Sequence, residues 1–236
     1  MSPPIDVACI LAGGLGTRLR PLTDAVPKPM VEVEGRPFLW HQLRRIAEGG
    51  VRRFVLAVGY KATIIEEYFG DGAAWGWEIR YSAERAPLGT GGALLHALPL
   101  LPERFLVLNG DTWLGLTWAP LLSDSWEDEG FDGLIGVRPM LDCAAFGRVD
   151  HDGRRLLAFR EKDASAGVGD INAGVYVLHR RALAARTTES PSFSLEREVL
   201  PRAPLAVRPI DGDFVDIGTF ETLTSFRDRM AEARAT

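Results

Sequence analysis

Four charged side chains in this chain stand where phosphate or metal chemistry could be done: Arg18, Lys28, Asp111 and Asp216. Arg18 and Lys28 belong to the stretch LAGGLGTRLRPLTDAVPKPM, Leu11 to Met30, which opens on a glycine-rich turn. Arg20 is a third cation there and Asp24 the only acid. Such a turn lets backbone N–H groups approach an anion closely. A guanidinium grips two phosphoryl oxygens with a planar fork, whereas an ammonium is a compact point charge able to bridge two phosphates. Asp111 follows the apolar run Phe105 to Leu108, and Asp216 lies in the β-like run Phe214 to Ile217. Carboxylates at the carboxyl ends of strands in an open α/β sheet project into the ligand crevice. Together these two would form a hard-oxygen site for Mg²⁺, which binds through one or two carboxylates plus substrate phosphates. The same positions also suit a turn aspartate or a helix N-cap, and glycines alone equally serve a tight turn.

Two familiar phosphate-binding patterns are absent. A Walker A loop requires G-x-x-x-x-G-K-[ST], and no such string occurs. A dinucleotide fingerprint counted from Gly14 needs a third glycine at position 19, which is Leu19. Pro21, Pro27 and Pro29 are expected to keep the chain extended past the turn. Of 27 basic residues only Lys28, Lys61 and Lys162 are lysines, so arginine is the default cation and each lysine stands out. Lys28 sits between two prolines on a stiff segment, and Lys162 follows Glu161 at the end of a strand-like run. Lys61 reads as an ordinary surface residue at a helix start. The histidines His41, His96, His151 and His179 are scattered and read as surface or helix-face residues rather than ligands. Cys9 and Cys143 have no metal spacing and no disulfide framework.

The elements that must position these groups follow from periodicity. Strands are predicted over Ile5–Leu11, Arg53–Val58, Trp77–Tyr81 and Phe105–Leu108, and helices over Phe38–Ala47, Thr63–Phe69 and Gly91–Leu98. Strands alternating with helices imply an α/β fold: a Rossmann-like, doubly wound, mainly parallel (mixed) sheet with helices on both faces. Beyond about residue 130 strands dominate, at Gly133–Arg138, Gly147–Asp150, Leu156–Arg160 and Ala173–Leu178, with a hairpin at His151-Asp152-Gly153. A short helix is predicted over Ser194–Leu200 and a terminal helix over Phe220–Ala233. Leu205–Ile210 and Phe214–Ile217 read as strands around an Asp211-Gly212 turn. Residues 1–236 form one domain on this reading, with a change of role near residue 130.

Composition narrows the function. The chain has 236 residues, 46% hydrophobic and 25% charged, which are ordinary globular values. A net charge of −5 argues against nucleic-acid or membrane-surface binding by bulk electrostatics. Residues 1–60 nevertheless carry eight basic and five acidic side chains, so the region of the glycine-rich loop is locally cationic. No apolar run is long enough for a membrane span and the N-terminus lacks the pattern of a signal peptide, so a cytoplasmic location is expected.

The stretch Leu11 to Met30 resembles the signature of the sugar-nucleotidyltransferase family, enzymes that couple a nucleoside triphosphate to a sugar 1-phosphate. Further similarity covers most of the chain: PLGTGGAL at Pro87 to Leu94, LNGDT at Leu108 to Thr112, Glu161-Lys162, NAG at Asn172 to Gly174, and DIGT at Asp216 to Thr219. PLGTGGA together with GRPFL, Gly35 to Leu39, is most similar to the short bacterial branch that makes GDP-activated heptose from D-glycero-D-manno-heptose 1-phosphate. The resemblance implies catalytic Arg18, Lys28 and Asp111, nucleotide contacts from Leu11, Gly13, Gly14, Glu84, Pro87, Gly89 and Thr90, and Mg²⁺ held by Asp111 and Asp216. It implies sugar-phosphate contacts from Gly147, Glu161, Lys162 and Asn172, although Asp163 stands where the family often has proline. Residues 1–130 then serve mainly the nucleotide and 131–236 mainly the sugar phosphate, in a pathway to surface polysaccharide or another glycan. Small-molecule substrates are the expected partners, and a homodimer is compatible with the sequence.

The implied reaction is attack by a sugar-phosphate oxygen on the α-phosphorus, with pyrophosphate leaving. Both phosphates arrive ionised, so positioning and charge neutralisation matter more than a general base. Glu84 bears on the base. Guanine presents adjacent N–H donors, which suit an acceptor-only carboxylate, so GTP is expected, with CTP as the other reading. Transfer to mannose 1-phosphate or another hexose phosphate is the alternative within the class. A non-catalytic nucleotide-sugar sensor is the alternative outside it, opposed by the joint presence of Arg18, Lys28, Asp111 and Asp216. A Rossmann-type oxidoreductase is weakened by Leu19.

Overall fold

The computed structural model describes residues 5–144, 146–160 and 167–235. The strands in chain order are β1 (Val7–Leu11), β2 (Glu32–Val33), β3 (Arg36–Pro37), β4 (Arg53–Val58), β5 (Glu78–Ala83), β6 (Arg104–Asn109), β7 (Thr112–Leu114), β8 (Gly133–Met140), β9 (Val149–His151), β10 (Leu156–Phe159), β11 (Gly169–His179), β12 (Leu205–Pro209) and β13 (Phe214–Asp216). The α-helices are α1 (Leu22–Ala25), α2 (Phe38–Glu48), α3 (Ala62–Phe69), α4 (Gly89–Ala97), α5 (Trp118–Leu122), α6 (Leu195–Glu198) and α7 (Phe220–Ala235).

Seven strands form one sheet in the order β12-β8-β11-β6-β1-β4-β5. Neighbours run parallel except at β11, which is antiparallel to both β6 and β8. The sheet is therefore mixed, as expected, with six strands pointing one way. Its central strands are buried on both faces, which is why their sequences are nearly continuous apolar runs. The period of two still sorts their side chains. Ala8, Ile10, Leu56, Leu106, Leu108 and Val175 join Leu39, Leu43 and Ile46 of α2 in one core. Val7, Cys9, Val55, Phe105, Val107 and Tyr176 face the opposite way, onto Leu94 and Ala97 of α4 and Leu195 of α6. A third cluster packs Leu223 and Phe226 of α7 on Leu19, Phe38 and Ile217. Trp118 and Trp126 are core residues.

The two strands expected on either side of the Asp211-Gly212 turn form as β12 and β13 but go to different sheets: β12 joins the main sheet beside β8, and β13 pairs with β7. Periodicity marks a strand but not its partner, and here the preceding connection carries the chain to another ribbon. The segment after the glycine-rich turn is not extended. It winds through a 3₁₀ turn at Thr17–Leu19, α1, and a 3₁₀ turn at Lys28–Met30, since proline is accommodated at the first positions of such turns. His41 and His96 lie on helices α2 and α4, in keeping with the expected helix-face positions. His41 is buried with Nε2 bonded to the Val33 carbonyl, His96 meets Ser82, and His151 meets Asp170 at 2.8 Å.

Candidate active site

The order β5-β4-β1-β6 reverses direction at β1, because β4 and β5 are laid down on one side and β6 on the other. Loops leaving β1 and β6 part at such a switch point and leave a crevice at the strands' carboxyl ends. A cleft of about 500 Å³ opens there, between the glycine-rich loop, the start of α4 and the β6–β7 turn. Leu11, Gly13, Gly14, Arg18, Lys28, Glu84, Pro87, Gly89, Thr90 and Asp111 all line it. The fold thus brings together residues from five separate segments.

Asp111 and Asp216 are set by the β7–β13 ribbon. Thr112 is paired with Asp216 in register, and the Ile217 N–H donates to the Asp111 carbonyl at 3.0 Å. Both carboxylates meet one cation. Lys28 Nζ lies 2.6 Å from Asp111 Oδ2 and 3.6 Å from Asp216 Oδ1. Lys28 is itself buried, 7% exposed, because its 3₁₀ turn folds back under the loop. Gly16 makes that approach possible: it sits at φ +62°, and a Cβ there would lie 2.9 Å from Lys28 Cβ. Burial pushes the Asp216 carboxyl above the usual carboxylate range, the charge of Asp111 adds to this, and Lys28 and Arg18 oppose it. Asp216 Oδ1 is buried without a hydrogen-bond partner, the Lys28 ammonium being too distant to donate.

These donors fit a divalent cation. Two neighbouring carboxylates, one with an unmet buried oxygen, face a cleft lined by cations and backbone N–H groups. Among the described residues no group of three or more His, Cys, Asp or Glu side chains could enclose a metal. The pair therefore suits Mg²⁺ completed by phosphate and water, and not a closed protein cage.

Glu84 follows β5 with its N–H bonded to the Val58 carbonyl. Its Oε2 accepts the Leu88 N–H at 3.1 Å, which ties the PLGTGG segment to the sheet. Its Oε1 lies against Gly13 and Gly59, where added Cβ atoms would come within 2.9 and 2.6 Å. Burial raises its pKa, against the Leu88 hydrogen bond.

Other expected residues are engaged differently. Thr90 lines the cleft, but its hydroxyl donates to Glu196 at 2.6 Å and accepts from the Leu195 N–H. Asn172 stands outside the lining, with Nδ2 on the Tyr176 hydroxyl at 2.6 Å and Oδ1 accepting the Gly174 N–H. Gly147 is also outside the cleft, close against the Arg160 carbonyl. Glu161 and Lys162 lie outside the described residues. Lys61 stands at the start of α3, as expected. It donates to the Asp24 and Ala25 carbonyls at 2.5 and 2.9 Å and so closes the end of α1 inside the signature stretch. Sequence reasoning also missed Gln42 and Asn109. Gln42 left a signal, being a polar residue on the apolar face of α2 between Leu39 and Leu43.

The profile of the nucleotidyl transferase family matches residues 7–232. The chain belongs to the nucleotidyl transferase family. Within that family it is 42% identical over 196 residues to a mannose-1-phosphate guanylyltransferase of Mycobacterium tuberculosis, covering 82% of this chain and 54% of that one. The chain thus spans about half the length of that relative. It is 34% identical to a D-glycero-alpha-D-manno-heptose 1-phosphate guanylyltransferase of Aneurinibacillus thermoaerophilus, covering 89% and 92%. The crystal structure of HddC from Yersinia pseudotuberculosis complexed with GMP-PN superposes with a TM-score of 0.82 at 30% identity, covering 96% of this chain and all of that one. No helix among the described residues is long and apolar enough to cross a membrane.

Proposed function

We propose that this nucleotidyl transferase moves a guanylyl group from GTP to a sugar 1-phosphate of the manno series, with D-glycero-alpha-D-manno-heptose 1-phosphate as the preferred acceptor. The observation that carries the reading is the Lys28 ammonium held between Asp111 and Asp216 at the mouth of the glycine-rich loop. That arrangement gathers fixed charges of both signs where a triphosphate and a second phosphate must meet.

The sugar-phosphate oxygen forms a new bond to the α-phosphorus while the bond from that phosphorus to the bridging oxygen breaks, and pyrophosphate leaves. Arg18, on the loop's 3₁₀ turn, stabilises the charge that gathers on pyrophosphate. Lys28 holds the α-phosphate and the incoming sugar phosphate together. Asp111 and Asp216 hold the Mg²⁺, which when bound neutralises phosphate charge. Gly13 and Gly14 present backbone to the triphosphate, and Glu84 accepts from the guanine N–H donors. Lys162, Glu161 and Asn172 contact the sugar phosphate in this reading.

The heptose relatives and the GMP-PN complex support both the base and the acceptor. Mannose 1-phosphate is a second acceptor reading, favoured by the 42% identity to the mycobacterial relative. The test is a matrix of GTP, CTP, UTP and dTTP against heptose, mannose and glucose 1-phosphates, read by Mg²⁺-dependent pyrophosphate release. GTP with the heptose should give the highest kcat/KM. Highest turnover with UTP or dTTP would overturn the guanylyl assignment.

A further inference from the structure

We infer that Gln42 is a positioning residue for Asp111, acting from α2 through the backbone of the β6–β7 turn. Gln42 is 2% exposed and lies 67 and 70 residues from the groups it touches. Its Nε2 donates to the Asn109 carbonyl at 2.8 Å and to the Thr112 carbonyl at 2.6 Å. These two carbonyls bracket Gly110 and Asp111, so one side-chain nitrogen clamps both ends of the turn that presents the carboxylate.

The amide's orientation is dictated by chemistry. Both neighbours are acceptors, so only the nitrogen can face them. The oxygen is then turned the other way, and Gln42 Oε1 is buried without a hydrogen-bond partner. An apolar side chain of the same length would fill the space and avoid that orphan. What it could not supply is the pair of donors on the turn. The remaining ties complete a cage around Asp111: Gly110 N–H donates to the Leu11 carbonyl at 3.0 Å, and the Asp111 carbonyl accepts from Ile217 N–H at 3.0 Å. These fix the middle of the turn to β1 and to Ile217, the residue after β13, while Gln42 fixes its two flanks. α2 itself is held by the His41 bond to the Val33 carbonyl and by Leu39, Leu43 and Ile46 in the core. The clamp therefore stands on a rigid element, as positioning requires.

Without the clamp, the Asp111 carboxylate keeps its chemistry but loses its fixed distance to Lys28 and Asp216. The inference rests on the proposed role of Asp111 and Asp216 in holding Mg²⁺. The variants are Gln42→Met, which keeps length and flexibility without donors, and Gln42→Glu, whose buried carboxylic acid supplies one O–H. GTP binding is measured by calorimetry with Mg²⁺ and with EDTA, alongside melting temperature and pyrophosphate release.

For Gln42→Met, the gain in GTP affinity that Mg²⁺ confers should fall by about 10-fold or more, with metal-free GTP affinity retained. Turnover should fall by about 100-fold. Gln42→Glu should recover part of both, a graded rescue that loss of stability alone would not produce. If the Met variant does not fold, the Glu variant carries the same comparison against wild type. A folded variant with wild-type Mg²⁺ gain and turnover would overturn the inference. Absence of any Mg²⁺ gain in the wild-type protein would instead overturn the metal pair, and the inference with it.

Discussion

Replacing Asp216 by asparagine should abolish turnover and yet make the metal-free protein more stable. Asp216 Oδ1 and Asp111 Oδ2 lie on the same Lys28 ammonium, at 3.6 and 2.6 Å, so the two carboxylates are within about 6 Å of each other. At an effective dielectric of about 20 their repulsion is about 3 kcal/mol, and the Lys28 attraction for Asp216 is about 5 kcal/mol. The difference, about 2 kcal/mol in favour of the charge and helped by Arg18, is reduced by water because the carboxylates are about a third exposed. Burial of the charge, which costs up to several kcal/mol, then decides the sign. It is the first cause of the raised Asp216 pKa. Asparagine removes the charge and keeps the shape, so a net gain on the order of 1 kcal/mol is expected, or about 2–4 °C in melting temperature for a chain of this size. The pH dependence follows. The native carboxyl binds its proton at higher pH than the unfolded one, so wild-type stability rises as pH falls through the native pKa. The advantage of the variant is thus full near neutral pH and vanishes as Asp216 protonates. Thermal melts in EDTA across this range, with pyrophosphate release in Mg²⁺, make the assay. An Asp216→Asn protein that melts below wild type at neutral pH, or a difference independent of pH, would refute the reasoning.

Three other perturbations follow from the same geometry. Glu84→Gln should lower kcat/KM for GTP by about 10–100-fold relative to UTP, since a carboxylate acceptor is replaced by an amide that presents a donor. The amide oxygen can still accept from Leu88 N–H, so the melting temperature should hold. Lys28→Met should cost about 10²–10³ in kcat and lower the melting temperature at neutral pH, because it leaves Asp111 and Asp216 facing each other without their cation. Part of that stability should return on acidification, checked by melts against pH. Gly218→Ala places a methyl 2.8 Å from Asp216 Oδ1 and 3.1 Å from Arg18 Nη2, so turnover should fall in a protein whose circular dichroism is unchanged.

The central strands and α2 were legible in the sequence because their side chains repeat at the period of the element and are buried accordingly. The glycine-rich stretch and Asp111 were legible because their residue types and placement suit phosphate or metal, Glu84 and the PLGTGG segment because they resemble a known family, and all of them line one cleft. Pairing was not. Nothing local distinguishes β13, which pairs with β7 and thereby delivers Asp216 to Asp111, from a strand that would pair with β12. Contacts made at a distance were equally hidden. The Lys61 bonds to Asp24 and Ala25, the Thr90 hydroxyl on Glu196 and the Gln42 clamp each join segments 36 or more residues apart. The sequence by itself therefore determined which chemical groups the chain can offer and on which kind of element each is carried. Only the tertiary structure decided which of them meet, because hydrogen bonds and ion pairs act over a few ångströms, and those distances are set by packing.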